Sequence, residues 1–303
     1  MYRRVIQITA KQSPNVRLAL AQLAAGIEPT HEEITPGVLS YREYVKRRAT
    51  WDIVRQTIGL DAEFYEGAES LLFPPEWLNR AHDIARRLPK NRRGKALGVD
   101  TGEGAANTAW AVSDDLGLIE LISKRTPDTS IITGETIALM KRHNLNPEAV
   151  FFDRGGGGKW AADLLRKQGY NVKTVSFGPS PVDPRRGLTP FGERLERVED
   201  KSTYLSRRVE MYDGLSQRLD PTGPGFGIPG EGKAYQELRR QLAVLKRAYD
   251  EHGRMVLPPK QKKPGSTIQS LQEILGCSPD EADAAVLGVY GLTAKKLAKV
   301  RAF

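Results

Sequence analysis

Short apolar runs and amphipathic stretches follow one another along the chain from about residue 95. Ala96–Val99 and Thr108–Val112 predict two strands, and the glycines between them predict a tight turn. Leu116–Lys124 predicts a third strand. A helical pattern over Thr129–His143 is followed by another buried strand, Ala149–Phe152. Neighbouring strands followed by alternating helices and strands predict an α/β fold, with a mixed sheet flanked by helices.

From residue 179 the pattern predicts a loop-rich stretch, followed by a charged helix, a short strand over Arg254–Leu257 and an apolar helix. Proline and glycine are frequent over residues 179–233, which we interpret as an excursion from the core around one polar helix. A charged helix is predicted over 234–251, and an apolar helix extends to Leu292. Ser278 is a good N-cap for this last helix, and Glu281 completes a capping box.

The first 90 residues have a different pattern. They are rich in charge, and proline pairs separate short helical segments, so residues 1–90 predict a mostly helical linker region. We place the main domain at residues 91–303.

Composition narrows the class of partner. The formal net charge is +9, and basic pairs recur along the chain, which suits a polyanion such as nucleic acid. The single cysteine, Cys277, excludes an internal disulfide framework and a multi-cysteine zinc site. No apolar run is long enough to span a bilayer, and the N-terminus lacks the apolar core of a signal peptide. We therefore expect a cytosolic protein that is not secreted and has no membrane partner.

Three aspartates end or begin core elements. Asp100 follows the first strand, Asp153 follows the fourth predicted strand and precedes four glycines, and Asp283 lies on an apolar helix face. A buried carboxylate needs a cation, and oxygen ligands suit Mg²⁺ or Mn²⁺. Two such ions can activate water and stabilise the leaving oxygen of a phosphodiester. Without metal, we expect the three carboxylates to repel and to raise one another's pKa values.

Four motifs together resemble one known family. They are GVDTG at Gly98–Gly102, FFDRGGGG at Phe151–Gly158, YLSRRVEMYDGL at Tyr204–Leu215 and SPDEADA at Ser278–Ala284. In this order they resemble the ribonuclease-H-like nuclease domain of the large terminase subunit of tailed phages. Residues 1–90 resemble the end of that family's packaging ATPase and its linker, although the front of the motor is missing.

The resemblance implies a metal-dependent endonuclease that cuts concatemeric double-stranded DNA during genome packaging, in the cytoplasm of an infected bacterium. It implies catalytic and metal-ligand roles for Asp100, Asp153 and Asp283, with two Mg²⁺ or Mn²⁺ ions. The implied partners are DNA, the portal protein, the small terminase subunit and a packaging ATPase. Seven basic residues are candidate DNA contacts: Arg154, Lys159, Arg207, Arg208, Lys260, Lys262 and Lys263.

Three other functions remain open at this stage. An actin-like or sugar-kinase ATPase shares the core fold but needs a duplicated core. Gly227–Lys233 has the spacing of a P-loop, but Ala234 stands where a Ser or Thr should bind Mg²⁺, so we interpret it as a flexible loop. A non-catalytic DNA-binding packaging module would keep the fold, and a missing carboxylate would be its mark.

Overall fold

The computed structural model divides into two compact units, residues 1–70 and residues 71–303. It describes residues 7–51, 53–63, 71–102, 104, 106–178, 204–223, 225–250, 254–262, 265 and 268–300.

The first unit is helical. Its helices are α1 (Pro14–Ala24), α2 (Tyr41–Thr50) and α3 (Ile53–Gly59). Val16, Tyr44 and Leu60 form its small core. Among the residues that the structure describes, no helix combines the length and apolarity needed to cross a bilayer.

The second unit contains the remaining elements. Its helices are α4 (Pro75–Arg87), α5 (Thr129–His143), α6 (Gly158–Lys167), α7 (Arg207–Leu219), α8 (Lys233–Ala243), α9 (Leu271–Leu275) and α10 (Asp280–Val300). Its strands are β1 (Ala96–Asp100), β2 (Asn107–Asp114), β3 (Gly117–Arg125), β4 (Val150–Asp153), β5 (Lys173–Val175), β6 (Ala248–Tyr249) and β7 (Met255–Val256). Helix α4 lies within this unit rather than in the linker, because Leu78 and Ala81 are buried in the main core.

The main sheet has the order β3-β2-β1-β4-β5. Strands β1, β2 and β3 pair antiparallel, whereas β1–β4 and β4–β5 pair parallel. This confirms the predicted mixed sheet flanked by helices. Helix α8 ends at Ala243, earlier than predicted, because Tyr249 pairs with Met255 in the small β6–β7 sheet.

The two faces of the main sheet bury side chains of different size, as the alternation of a strand requires. The face towards α5 and α6 carries the large residues Leu97, Val99, Trp110, Val112 and Phe152. The face towards α10 carries the small residues Ala96, Ala109 and Ala111. Helix α10 can therefore approach the strands closely.

Two glycines allow this approach. A Cβ at Gly98 would overlap the backbone at Ala284 and Gly288, and a Cβ at Gly288 would lie 2.9 Å from the carbonyl oxygen of Ala111. Only the absence of both side chains lets the α10 backbone rest on β1 and β2. This contact fixes the position of the acidic first turn of α10 relative to the end of β1.

Candidate active site

Two carboxylates lie side by side at one edge of the sheet. Asp100 is the last residue of β1 and Asp153 is the last residue of β4. The strands are parallel neighbours, with Val99 opposite Phe152, so their carboxyl ends meet at the same edge. Both side chains are largely shielded from solvent: Asp100 is 2% exposed and Asp153 is 9% exposed.

Helix α10 brings the third carboxylate. Asp283 lies in the first turn of α10 and is 0% exposed. The charge of Asp283 acts on both Asp100 and Asp153, in each case raising the pKa. The three predicted site residues therefore lie in one electrostatically coupled group.

Lys260 joins two of these carboxylates. Its Nζ donates to Asp100 Oδ2 at 3.1 Å and lies 2.9 Å from Asp283 Oδ2. The second contact is an ion pair outside hydrogen-bonding geometry, so Asp283 Oδ2 has no hydrogen-bond partner among the described residues. An ammonium group thus stands beside the oxygens that would ligate a cation. In the described part of the chain, no three acidic, histidine or cysteine side chains form a ready-made metal site.

The other oxygen of Asp283 is held from α7. The Tyr212 hydroxyl donates to Asp283 Oδ1 at 2.7 Å, and Arg208 Nε lies 3.5 Å from the same oxygen. The Arg208 guanidinium also lies over the Tyr212 ring, 5.0 Å from its centroid. Arg208 is itself fixed, because its Nη1 donates to the Pro258 carbonyl oxygen at 3.0 Å.

This pairing overturns one electrostatic expectation. Burial and the neighbouring carboxylates raise the pKa of Asp100 well above its usual value, although Lys260 opposes them. Burial and Asp283 also raise the pKa of Asp153. Burial alone would raise the pKa of Asp283 as well, but Lys260 and Arg208 outweigh it, and the net shift is downward. Asp283 is therefore a paired carboxylate rather than a repelled one.

Two further acids open α10. Asp280 Oδ2 accepts a hydrogen bond from the Asn107 backbone N–H at 3.0 Å, which ties α10 to the start of β2. Glu281 is buried and accepts hydrogen bonds from Ser123 and, at 2.5 Å, from Gln241 Nε2. Both carboxylate oxygens of Glu281 are therefore bonded to side chains of β3 and α8.

The glycines after Asp153 form a tight turn into α6. Gly156 and Gly157 have positive φ angles of 52° and 75°, which side-chain-bearing residues adopt only with strain. The Thr101 hydroxyl donates to the Gly156 carbonyl oxygen, so the segments after β1 and β4 are joined. This bond brings the two chain segments that follow the carboxylates together.

Comparison with solved structures identifies the fold. The nuclease domain of the large terminase subunit gp2 of bacterial virus Sf6 matches with a TM-score of 0.54 and 17% identity, over 72% of this chain and 98% of that one. A variant of the same Sf6 domain with calcium matches with a TM-score of 0.55 and 16% identity, over the same shares. The fold is that of a terminase nuclease domain.

The similarity to terminase nucleases is detected in the fold and not by sequence comparison. No family model matches the chain, and no curated protein matches it. The large terminase nuclease from thermophilic phage G20c, with bound magnesium, is also similar at 15% identity, with a TM-score of 0.44. The two Sf6 matches confirm the predicted terminase nuclease fold.

Three of the predicted DNA contacts are exposed on the terminase nuclease fold. They are Arg154 directly after β4, Lys159 in the first turn of α6, and Lys262. Lys159 is paired with Asp163 at 2.8 Å, and Lys262 is paired with Glu273 at 2.8 Å. These three residues remain candidate contacts for a phosphate backbone.

The other predicted DNA contacts have different environments. Arg208 is buried, and Lys260 lies between two carboxylates, so both belong to the carboxylate cluster rather than to an open surface. Arg207 is half-buried, and Lys263 lies outside the described residues.

Tyr212 is the site residue that the sequence interpretation missed. A signal for it exists, because Arg208 and Tyr212 are four residues apart and therefore share one face of α7. A cation and a hydroxyl on one apolar helix face predict a buried anion opposite them. The identity of that anion, Asp283, depends on how α7 packs on α10.

Proposed function

We propose that this chain is a metal-dependent endonuclease that hydrolyses phosphodiester bonds of double-stranded DNA during phage genome packaging. The observation that carries the proposal is the convergence of Asp100, Asp153 and Asp283 at one edge of a terminase nuclease fold. The similar Sf6 structure is the nuclease domain of a large terminase subunit, which supports the same class of reaction.

The donor set fits divalent ions such as Mg²⁺ or Mn²⁺. All three candidate ligands are carboxylates, which both ions accept. Asp283 Oδ2 is buried without a hydrogen bond, and the Lys260 ammonium already provides a positive charge beside it. A variant of the similar Sf6 nuclease domain is described with manganese, which supports a divalent ion here. A pair of such ions would activate water and stabilise the leaving oxygen.

The chain's own residues prepare the carboxylates for that role. Tyr212 and Arg208 hold Asp283 Oδ1, whereas Oδ2 contacts the Lys260 ammonium. Lys260 neutralises part of the negative charge that the cluster carries without metal. We infer that Lys260 competes with a metal ion for Asp100 and Asp283, because the ammonium contacts the carboxylate oxygens that would ligate the ion.

The biological setting is part of the proposal. The natural substrate is concatemeric phage DNA in the cytoplasm of the host bacterium. The portal protein, the small terminase subunit and a packaging ATPase are the proposed partners. Lys159, Lys262 and Arg154 are proposed contacts to the DNA backbone, since phosphate contacts position a duplex without reading its sequence.

A plasmid-cleavage assay tests the proposal. Wild-type protein should nick and linearise supercoiled plasmid with Mn²⁺ or Mg²⁺ and should be inactive in EDTA. Asp100→Asn and Asp153→Asn should each abolish cleavage while DNA binding persists, because the substitution removes a ligand charge and keeps the side-chain shape. Asp163→Asn is the matched control, since Asp163 is an exposed, ion-paired carboxylate of α6. Full cleavage by Asp153→Asn would refute the assignment.

The same assay separates the alternative functions. If wild-type protein binds DNA but cuts under none of these conditions, the non-catalytic packaging module becomes the better explanation. No structural observation favours the actin-like ATPase, because the described residues form one five-stranded sheet and one two-stranded sheet, without a duplicated core.

A further inference from the structure

A cleft of about 840 Å³ lies beside the carboxylate cluster. Its walls are the end of β3, the first residues of α8 and the connection from α9 to α10. Asp280 lies on the wall of this cleft, and its charge also acts on Asp100 and Lys260. The cleft is therefore adjacent to the candidate active site, at the same edge of the sheet.

Four cationic side chains line the cleft. They are Lys124, Arg125, Lys233 and Arg240. Lys124 is paired with Glu135 at 2.5 Å, and Arg240 is paired with Glu237 at 2.5 Å. Arg125 and Lys233 are exposed, and neither has a carboxylate partner among the described residues. These two cations are available to an anionic ligand.

The acidic residues of the cleft are already bound. Glu281 is buried and accepts hydrogen bonds from Ser123 and Gln241. Asp280 is buried and accepts one from the Asn107 N–H. The third acid of the cleft, Glu237, is partly exposed and is paired with Arg240. The four cations outnumber the three acids, so the cleft presents a net positive surface to solvent.

Strand register sets the distance from the cleft to the candidate active site. Asp100 on β1 pairs with Ala109 on β2, and Arg125 on β3 pairs with Asn107. Two strand spacings of about 4.8 Å place β3 about 10 Å from β1. One DNA strand carries a phosphate about every 3.4 Å along the helix axis, so a duplex whose axis ran along this direction would place a phosphate about three base-pair steps away at the cleft.

We propose that this cleft binds backbone phosphates of the DNA duplex that flank the scissile phosphate, with Arg125 and Lys233 as the phosphate ligands. The proposal rests on the proposed nuclease function for its substrate. It also assigns a role to Lys233, the last residue of the Gly227–Lys233 segment with P-loop spacing. The structure does not support nucleotide binding by this segment. In the described part of the segment before α8, the strand pairing is limited to an isolated bridge between Gly117 and Gly227, and the residue after Lys233, Ala234, carries no hydroxyl. A nucleotide site is therefore incomplete, whereas a duplex backbone needs only cations at the right spacing.

The test is equilibrium binding of a short labelled DNA duplex by full-length protein, measured by fluorescence anisotropy in EDTA over a range of salt concentrations. Arg125→Gln and Lys233→Gln should each lower the slope of log Kobs against log salt by about 0.9, and should weaken binding about eightfold at about 0.1 M salt. The double variant should lose about twice the slope of either single variant. Lys167→Gln is the matched control, because Lys167 is exposed at the far end of α6 and does not line the cleft.

The outcomes separate this proposal from the nuclease proposal. Wild-type affinity and wild-type salt slope in both cleft variants would refute the proposed role of the cleft, and the nuclease proposal would be unaffected. An equal loss in Lys167→Gln would also overturn it, because the effect would then reflect net charge alone. Conversely, if wild-type protein fails to cut plasmid while both cleft variants lose slope, the cleft stands as a DNA-binding surface and the nuclease proposal fails. Unchanged melting temperatures of the variants would show that folding is intact.

Discussion

Neutralising Asp283 should destabilise the metal-free protein. If the three carboxylates only repelled one another, Asp283→Asn would melt at or above wild type. The structure reverses this expectation, because Asp283 lies 2.9 Å from Lys260 Nζ and 3.5 Å from Arg208 Nε. Asparagine keeps the volume and can still accept the Tyr212 hydrogen bond, but it leaves buried positive charge without its main partner.

The size of the effect follows from burial. Removing one partner of a buried ion pair costs about 3–5 kcal/mol, because the remaining charge stays desolvated. Lys260 keeps Asp100 as a partner at 3.1 Å, and its side chain is 30% exposed, which favours the lower end of that range. For a domain of this size each kcal/mol lowers the melting temperature by about 2–4 °C, so we expect a decrease of about 6–12 °C.

Differential scanning fluorimetry in EDTA at neutral pH measures this decrease. Asp163→Asn serves as the control, because Asp163 pairs with Lys159 and Arg166 on the protein surface. Solvent screens an exposed pair of this kind, so the control should melt close to wild type. Asp283→Asn melting at or above wild type would refute the paired-carboxylate interpretation and restore simple repulsion.

Three further predictions follow from the same geometry. Lys260→Met should lower the metal-free melting temperature and increase the Mn²⁺-induced rise, because metal no longer competes with the ammonium; a smaller rise than in wild type would contradict this. Because burial raises the pKa values of Asp100 and Asp153, their contribution to metal-free stability should fall as pH increases through those pKa values. Mn²⁺ binding should then strengthen with pH and release protons, which calorimetry in buffers of different ionisation enthalpy detects. Gly98→Ala should lower stability by about 1–3 kcal/mol through overlap with α10, whereas Gly134→Ala, in open space on α5, should not lower it.

The placement of the carboxylates could be predicted because its causes are local. Asp100 and Asp153 each follow a short apolar run, and glycines follow each of them. Apolar runs of this length fix strands, and parallel neighbours bring their ends together. Asp283 stands among small apolar residues in a helix with a clear start, so its burial also follows from the sequence.

The partners of these carboxylates could not be predicted in the same way. Lys260 lies after β7 in a segment without regular structure, and its contacts with Asp100 and Asp283 span many residues of chain. The helix and strand periodicities of a sequence do not relate residues that are so far apart along the chain. The early end of α8 has a similar cause, because the pairing of Tyr249 with Met255 is a tertiary contact that overrides the local helical pattern.

In the proposed metal-dependent nuclease, Lys260 would affect stability and metal binding in opposite directions. In the metal-free protein its ammonium offsets the charges of Asp100 and Asp283, which lets two buried carboxylates share one site. A metal ion that binds the same oxygens must overcome this contact, so the interaction that stabilises the empty site weakens its affinity for metal. Tyr212 and Arg208 do not compete in this way, because they hold the opposite oxygen of Asp283. The two sets of contacts therefore have different roles at one carboxylate: the α7 side chains fix its orientation, and Lys260 would set the concentration at which the proposed metal ion occupies it.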